Sequence, residues 1–519
     1  MSTESKLTPV LDRPARPRLG PGRLEWPVTL GALVLALALA ISVLAVDPRI
    51  VAAGVGILSL LLVSFRYPFA GLLFYLVVVY VRPEELRIAP VFLHLERVTG
   101  LTVLGAVLLR HMVRREEGLW PRHRLNAILL ALLGVLCLSS LTAYWRGGAA
   151  AATMELVKSL VPYFLIICLA DTPRRLRALT GVFTLTIVWH GLSSTLGYRS
   201  GTTVSLGENY LARAGGLTET LGDPNTMANL LVSGLPFACV AVTTGTNLWS
   251  RGLGVAAIGA ALPAIALTGS RTGMISLGAV ALLLVARGRR RLVVLGAVLV
   301  AMLLLWRFMP REMQQRYATI LRPAGEVTYT GRLHGIGIAM HMWLSHPLLG
   351  VGPGCFGAVR HAEYEPSWMN PHNLFAQVAS ELGILGLIVF AGFIVATFCA
   401  LERARKGLRV HSDSPELARA HWLAVAAEIC LLALLVQGLA SHNMYRFTYY
   451  FMAALAVRLE VLAASLPASR GPRGCGGAGP QSTVTRKLTL PRPPAATVPI
   501  FHVRRPPLKT PPPVALPGT

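Results

Sequence analysis

Charge is scarce in this chain of 519 residues: 14% are Asp, Glu, Lys or Arg, with 24 acidic residues against 49 basic ones. Soluble domains carry about 25% charged residues. The depletion, with 54% hydrophobic residues and a mean hydropathy of +0.57, excludes an ordinary soluble domain. Cysteine contributes little. Cys137, Cys168, Cys239, Cys399 and Cys430 lie in apolar runs, Cys475 lies near the C-terminus, and Cys355 alone falls in a polar stretch. No CxxC occurs, which argues against a disulfide framework or a cysteine metal site. There is no HExxH either, and no internal repeat of the kind transporter halves show.

What is present is a series of apolar runs such as Val28–Val46, Leu125–Leu141, Leu292–Leu305 and Leu385–Leu401. These approach the roughly 20 residues that a helix needs to span a bilayer. Short alternating segments of a barrel are absent, so the chain reads as an all-α polytopic membrane protein. Helix cores are expected near 28–46, 50–65, 68–81, 97–110, 125–144, 153–170, 178–197, 226–245, 253–268, 273–286, 292–306, 373–400, 421–441 and 447–465. That makes roughly 12–14 crossings.

The formal charge of +25 does not indicate nucleic acid, because the basic residues sit in short links between apolar runs. Arg110, Arg114, Arg115, Arg122 and Arg124 form one cluster, and Arg174, Arg175 and Arg177 another. Arg287 with Arg289, Arg290 and Arg291, and Arg403 with Arg405, Lys406 and Arg409, form two more. Short Lys/Arg-rich links face the cytoplasm. With these four inside, 198–225, 269–272 and 307–370 fall outside and both termini fall inside. Residues 1–27 form a basic leader, 28–465 a membrane domain, and 306–372 a large outer loop within it. The Ala38-Leu-Ala40 triplet resembles a signal cleavage site, but the apolar run continues to Val46, so an uncleaved anchor is expected. Residues 466–519 are rich in Pro, Gly and Arg and lack acidic residues. They read as a disordered cytoplasmic tail lying against anionic lipids.

Polar signals concentrate in the outer loops. Asp223 and Asn225 of Gly222-Asp-Pro-Asn225 are suited to capping the next helix. Arg213 faces an apolar bundle, where a fixed cation generally has an anionic partner. Arg271, in Thr268-Gly-Ser-Arg-Thr-Gly273, either rests at headgroup level or faces the same outer cavity. The loop after Arg307 is too long for a plain connector. It carries Arg332, which could grip phosphate oxygens, and five histidines: His334, His341, His346, His361 and His372. His334 and His341 share a helical face, but no carboxylate ligand set accompanies them, so no metal and no cofactor is expected. Lys158 follows Glu155 by three and can pair with it. Glu428, mid-span, must find a partner or stay protonated. The loop ends at His372-Asn373, directly before an apolar helix containing Gly383 and Gly386.

These residues resemble the bacterial O-antigen ligase and polymerase superfamily, which includes the protein O-oligosaccharyltransferases. His372-Asn373, the nine residues Leu374–Leu382, then Gly383 and Gly386 repeat its most distinctive element. Arg213-x-x-Gly216 with Pro224-Asn225, Ser270-Arg271, Gly331-Arg332, His346-Pro347 and Gly350–Gly354 continue the likeness across about 200–400. The span count and the basic tail depart from the pattern.

The resemblance implies a GT-C-like, metal-independent glycosyltransferase of the bacterial inner membrane. It would move a glycan from undecaprenyl pyrophosphate to an acceptor hydroxyl on lipid A-core, a growing glycan or a protein. His372 would take the hydroxyl proton, and Arg332 and Arg213 would stabilise the leaving pyrophosphate. Arg271, Asn373 and Lys158 are candidates for substrate contact. Gly383 and Gly386 would let neighbouring helices approach beneath the site. A polysaccharide or lipid transporter is the competing reading from another class. Chelating divalent cations is expected to leave glycan transfer by membranes unchanged; a loss restored by Mg²⁺ would contradict this.

Overall fold

The computed structural model of the chain describes residues 48–83, 86, 94–114, 121–205, 211–288, 291–321, 327–411 and 413–467. The expected first span and the basic tail lie outside the described residues. Every other expected span coincides with a helix. The elements before the first large loop are α1 (Pro48–Arg66), α2 (Pro68–Val81), α3 (Leu95–Arg114), α4 (Arg124–Leu141), α5 (Arg146–Leu169) and α6 (Pro173–Arg199). A two-stranded antiparallel ribbon follows, β1 (Val204–Ser205) with β2 (Ala212–Arg213), and then the short α7 (Glu219–Gly222). Next come α8 (Pro224–Thr244), α9 (Leu248–Leu267), α10 (Arg271–Arg287) and α11 (Arg291–Phe308). The large loop contributes α12 (Arg311–Ala318), α13 (Val327–Ser345) and α14 (Phe356–Val359). It leads into α15 (Leu374–Val410), α16 (Pro415–Gly438) and α17 (Phe447–Ala464).

Among the described residues, nine helices are long and apolar enough to cross a membrane. Of the others, α2 is apolar but only 14 residues long, and α10 has 17. Helix starts follow local chemistry. Thr172 accepts the Arg175 N–H at 3.3 Å before Pro173, and Asp223 accepts the Thr226 N–H at 2.9 Å before Pro224. A side-chain acceptor at the cap and proline at the first helical position satisfy or remove the unpaired N–H groups of the first turn.

The two ends of the bundle differ in chemistry. At one end the basic links are tied by ion pairs. Glu428 accepts Arg287 at 2.6 Å and Arg405 at 3.2 Å, so the mid-helix carboxylate has its partners. Glu460 accepts Arg403 at 2.5 Å and lies 3.1 Å from His123. At the other end the outer-loop segments meet. Tyr144 N–H donates to the Val351 carbonyl at 3.0 Å, and Ala214 N–H to the Leu267 carbonyl at 3.0 Å. The alternation read from the basic links therefore agrees with the meeting, among the described residues, of 211–224, 267–271, 308–321, 327–374 and 438–447.

The 37-residue α15 is broken at Gly383, which has φ +65° and ψ −161°. The break opens backbone groups that an unbroken helix would use internally, and the loop takes them. Ile384 N–H donates to the Pro347 carbonyl at 2.8 Å, Val351 N–H to Ser380 at 2.9 Å, and Gly352 N–H to Glu381 at 3.1 Å. The expected role of Gly383 and Gly386 in helix–helix approach is not what the structure shows. A Cβ at Gly383 would lie 2.4 Å from the Leu348 carbonyl carbon, which belongs to the loop; at Gly386 it would meet Leu382 of the same helix at 2.1 Å.

A side chain in the left-handed region costs about 1–2 kcal/mol before any clash is counted. Gly383→Ala is expected to lower the thermal unfolding midpoint of the detergent-solubilised protein by several degrees. Gly392→Ala, with nothing within 4 Å of its Cβ position, should not; equal midpoints for both variants would remove this role of Gly383.

Candidate functional site

Two stretches of loop bring cations to the gathered end. Arg213 leaves β2 with only 3% of its surface exposed. Its Nε donates to the Thr268 carbonyl at 2.7 Å and one Nη to Asn225 Oδ1 at 3.2 Å. Asn225 also accepts the Ser270 hydroxyl at 2.9 Å, and Ser270 in turn caps α10 at Gly273. Asp223 is thus the cap expected from sequence, whereas Asn225 is a bridge between Arg213 and the α9–α10 turn. From that turn, Arg271 donates to Thr319 Oγ1 at 2.9 Å. Arg316 of α12 donates to the Gly269 carbonyl at 2.7 Å.

Arg332, half-buried on α13, joins this group electrostatically: burial, then the charges of Arg271 and Arg316, lower its pKa, and Asp223 raises it. Burial, then Arg316 and later Arg271, bring Arg213 down to about 10, still cationic at neutral pH. Arg271 and Arg316 thus bear on both Arg213 and Arg332, and this gathering of guanidinium groups is suited to a polyanion. Guanidinium forks match phosphate oxygens bidentately. Among the described residues nothing pairs with the Arg332 side chain, so its donors are uncommitted.

His372 stands at the end of the loop in the left-handed region, φ +50°. A non-glycine residue held there costs about 1–3 kcal/mol and persists only when its surroundings over-determine it. Two sets of contacts do so. Asn373 caps α15, its Oδ1 accepting the Ala376 N–H at 3.0 Å while Nδ2 donates to the Leu439 carbonyl at 3.1 Å. On the other side, Arg360, 6% exposed, pairs with Glu365 and donates to the Met369 carbonyl at 3.1 Å. The histidine is held from both flanks. Burial, then the Arg332 charge, push its pKa below the ordinary value, against a pull from Asp223. At neutral pH the imidazole is uncharged and able to accept a proton.

The edge of His442 meets the His372 ring at a centroid separation of 5.4 Å and an interplanar angle of 66°. Asn370 Nδ2 donates to His442 Nε2 at 3.2 Å, which leaves the His442 proton on Nδ1. Burial, then His372 and Arg446, bring His442 down to about 4. Four residues later, Arg446 donates to Thr226 Oγ1 at 2.8 Å.

Residues 255–391 match the O-antigen ligase family. The O-antigen ligase match takes in Arg271, Arg316, Arg332 and His372 but stops short of Arg213 and of His442. It is the superfamily that the motifs resemble, and it supports a glycan transferase that works on a polysaccharide substrate in a multi-pass membrane protein. No curated protein matches the chain.

Of the residues singled out from sequence, Arg213, Arg271, Arg332 and His372 are brought together. Asn373 adjoins them, but both ends of its amide are engaged in holding backbone. Lys158 pairs with Glu155 on α5, as its spacing suggested, and lines a cavity together with His442 and Arg446. His334 lies 3.3 Å from Glu365, and His341 is exposed. Sequence reasoning missed Arg316, Arg360, His442 and Arg446. Ser441–Arg446 did carry a signal, since a polar His-Asn-Met-Tyr-Arg run between the last two spans belongs to the same end.

Because Asp223 raises the pKa of His372, removing its charge should lower it further. Asp223→Asn keeps a helix cap of equal quality. The acid limb of the transfer-rate profile should fall below pH 6.5 in the wild type and move to still lower pH in this variant. An acid limb that stays in place or moves up would contradict the assignment.

Proposed function

We propose that the protein is a membrane glycosyltransferase that moves a glycan from undecaprenyl pyrophosphate to an acceptor hydroxyl at the periplasmic face of the inner membrane. The observation that carries this reading is the neutral, backbone-strained His372 placed within the field of Arg332 and its arginine neighbours. That is a base next to an anion site, the pair that displacement of a pyrophosphate by an alcohol requires.

The chemistry follows from the parts. His372 takes the proton of the acceptor hydroxyl as the oxygen bonds to the anomeric carbon. The bond from that carbon to the pyrophosphate oxygen breaks, and the lipid pyrophosphate leaves with the bonding electron pair. Negative charge grows on the leaving group, where Arg332 and the bonded Arg213, Arg271 and Arg316 stabilise it. Arg213 is immobilised by Thr268 and Asn225, so it acts as a fixed charge; Arg332 is free to follow the phosphate. Asn373 serves by orienting His372. The family match and the apolar helices support this reading, and so does the gathering of the polar loops at the end opposite the basic links.

His372→Ala in native membranes should still bind the lipid-linked glycan and lose transfer by about 10²–10⁴-fold. Arg332→Ala should also bind donor and lose most transfer. Wild-type rates in either variant would sink the proposal.

A further inference from the structure

At the end of the bundle that carries the basic links, α6, the turn from α8 to α9 and the first turns of α16 enclose a cavity of about 340 Å³. It is remote from the arginine cluster. Asp223 caps the start of α8 and Thr244, on the cavity wall, ends it; the 21 residues between them amount to about 30 Å of helix. Arg177 and Arg419 line the cavity, and among the described residues no Asp or Glu does. Arg419 is 7% exposed. Its Nε donates to the Thr244 carbonyl at 3.0 Å, and Nη2 goes to the same oxygen. A buried charge ordinarily sits against an opposite one. This one is fixed by a neutral carbonyl instead, and Nη1 has no protein partner and is not sealed from solvent. Arg177, half-buried on α6, has no bonded partner among the described residues. Its charge bears on Arg419, with Glu416 as the opposing charge. Glu416 is itself engaged by Arg174 at 3.3 Å.

The free groups define what enters. Two guanidinium groups supply donors and no acceptor, and the hydroxyls of Thr246 and Ser250 add two more donors from the α8–α9 turn. Phosphate oxygens are the complement of such a set. The other wall is apolar, with Phe237, Leu253 and Leu423. At the rim, Trp249 is 88% exposed and its neighbour Leu248 86%. Exposed tryptophan beside an apolar span belongs at the level of the lipid headgroups, so the mouth opens at that depth. A free phosphate ion would use the cations and leave the apolar wall uncovered. A phosphate ester carrying glycerol and acyl chains uses both. The volume falls at the small end of ligand sites, about 300–1,000 Å³, which suits a headgroup whose chains remain in the bilayer. Basic pockets between spans are where anionic headgroups bind.

We propose that this cavity is a binding site for the headgroup of an anionic phospholipid, its phosphate held between Arg177 and Arg419. The site stands independently of the glycosyl-transfer reading. A lipid seated there joins α6, α8, α9 and α16 at one end of the bundle. At their other ends, α8 begins beside Asn225 and α9 leads to Thr268, the two residues that hold Arg213, and α16 leads to the link with His442. The lipid thus braces helices on which the distant arginine cluster is mounted.

The test uses the full-length protein, delipidated in detergent and titrated with phosphatidylglycerol or phosphatidylcholine, with bound lipid counted by native mass spectrometry. Phosphatidylglycerol should be retained under conditions that strip phosphatidylcholine, and it should raise the thermal unfolding midpoint. Arg177→Gln removes a side chain that has no bonded partner among the described residues, so the lipid-free midpoint should stay at the wild-type value. Its affinity for phosphatidylglycerol should fall about tenfold, the loss of roughly one charge-assisted hydrogen bond, and the lipid-dependent rise in midpoint should shrink with it. Arg409→Gln, which removes an exposed charge at the same end but outside the cavity, should bind as the wild type does. Unchanged affinity in Arg177→Gln would overturn the site, and so would an equal loss in Arg409→Gln, the mark of a diffusely basic surface. Equal retention of phosphatidylcholine would overturn the preference for an anionic lipid. Displacement of the lipid by excess inorganic phosphate would make this a site for soluble phosphate and overturn the lipid assignment.

Discussion

The site depends on one join, where the broken helix α15 accepts the turn of the large loop. At Gly383 the helix turns out of its own hydrogen-bond pattern, and the segment Pro347–Gly352 takes up the backbone groups around Ser380–Ile384. Glu381, 1% exposed, fastens the same place with side-chain bonds, accepting Gly354 N–H at 3.0 Å and the Tyr445 hydroxyl at 2.9 Å. One carboxylate thereby ties the loop, the long helix and the start of the last helix together. His372, at the N-terminal mouth of α15, and His442 and Arg446, beside Tyr445, take their relative positions from it. Gly350 shows how tight the join is: with φ +68°, its Cβ would fall 2.4 Å from the Glu381 carbonyl carbon. Only glycine permits the two backbones to come that close.

Arginines gather at the same end of the bundle as this join. Arg271 and Arg316 lower the proton affinity of Arg213 and Arg332, and Asp223, which also caps a helix, raises it. Carbonyls hold three of them: Arg213 on Thr268, Arg316 on Gly269, and Arg271 through Thr319, whose hydroxyl is itself bonded to the Arg316 carbonyl at 2.8 Å. Carbonyl acceptors fix a guanidinium without cancelling its charge. For Arg213, still cationic at neutral pH, the carbonyl fixes the position and leaves the charge in place. Burial, and after it the Arg332 charge, hold His372 below the ordinary imidazole range.

Much of this was legible before any coordinates. The apolar runs and basic links predicted the helices and their alternation, because a bilayer demands length, apolarity and a cytoplasmic excess of Lys and Arg, all of which are properties of local sequence. Arg213, Arg271, Arg332 and His372 were legible as members of one constellation only through the resemblance. Glu381 was printed inside the His372–Gly386 element yet carried no signal, since an acidic residue in an apolar helix reads the same whether it fastens a loop or lines a channel. Gly383 and Gly386 were read as a helix-packing pair, a reasonable inference from small residues three apart. Their actual partners are a loop backbone and their own preceding turn, and no spacing rule distinguishes those.

What the sequence determined alone is the membrane class, the helix positions, the end at which the polar loops collect, and the residue types that chemistry there would need. These depend on hydropathy and charge along the chain. The tertiary structure decided which cations lie near one another, which are immobilised, and that His442 from the last link stands beside His372. It also decided that Tyr80 and Asn229, on helices far apart in the chain, line one cavity with His442. Such pairings depend on the crossing of helices and on a break at Gly383, and long-range packing of that kind leaves no local pattern to read.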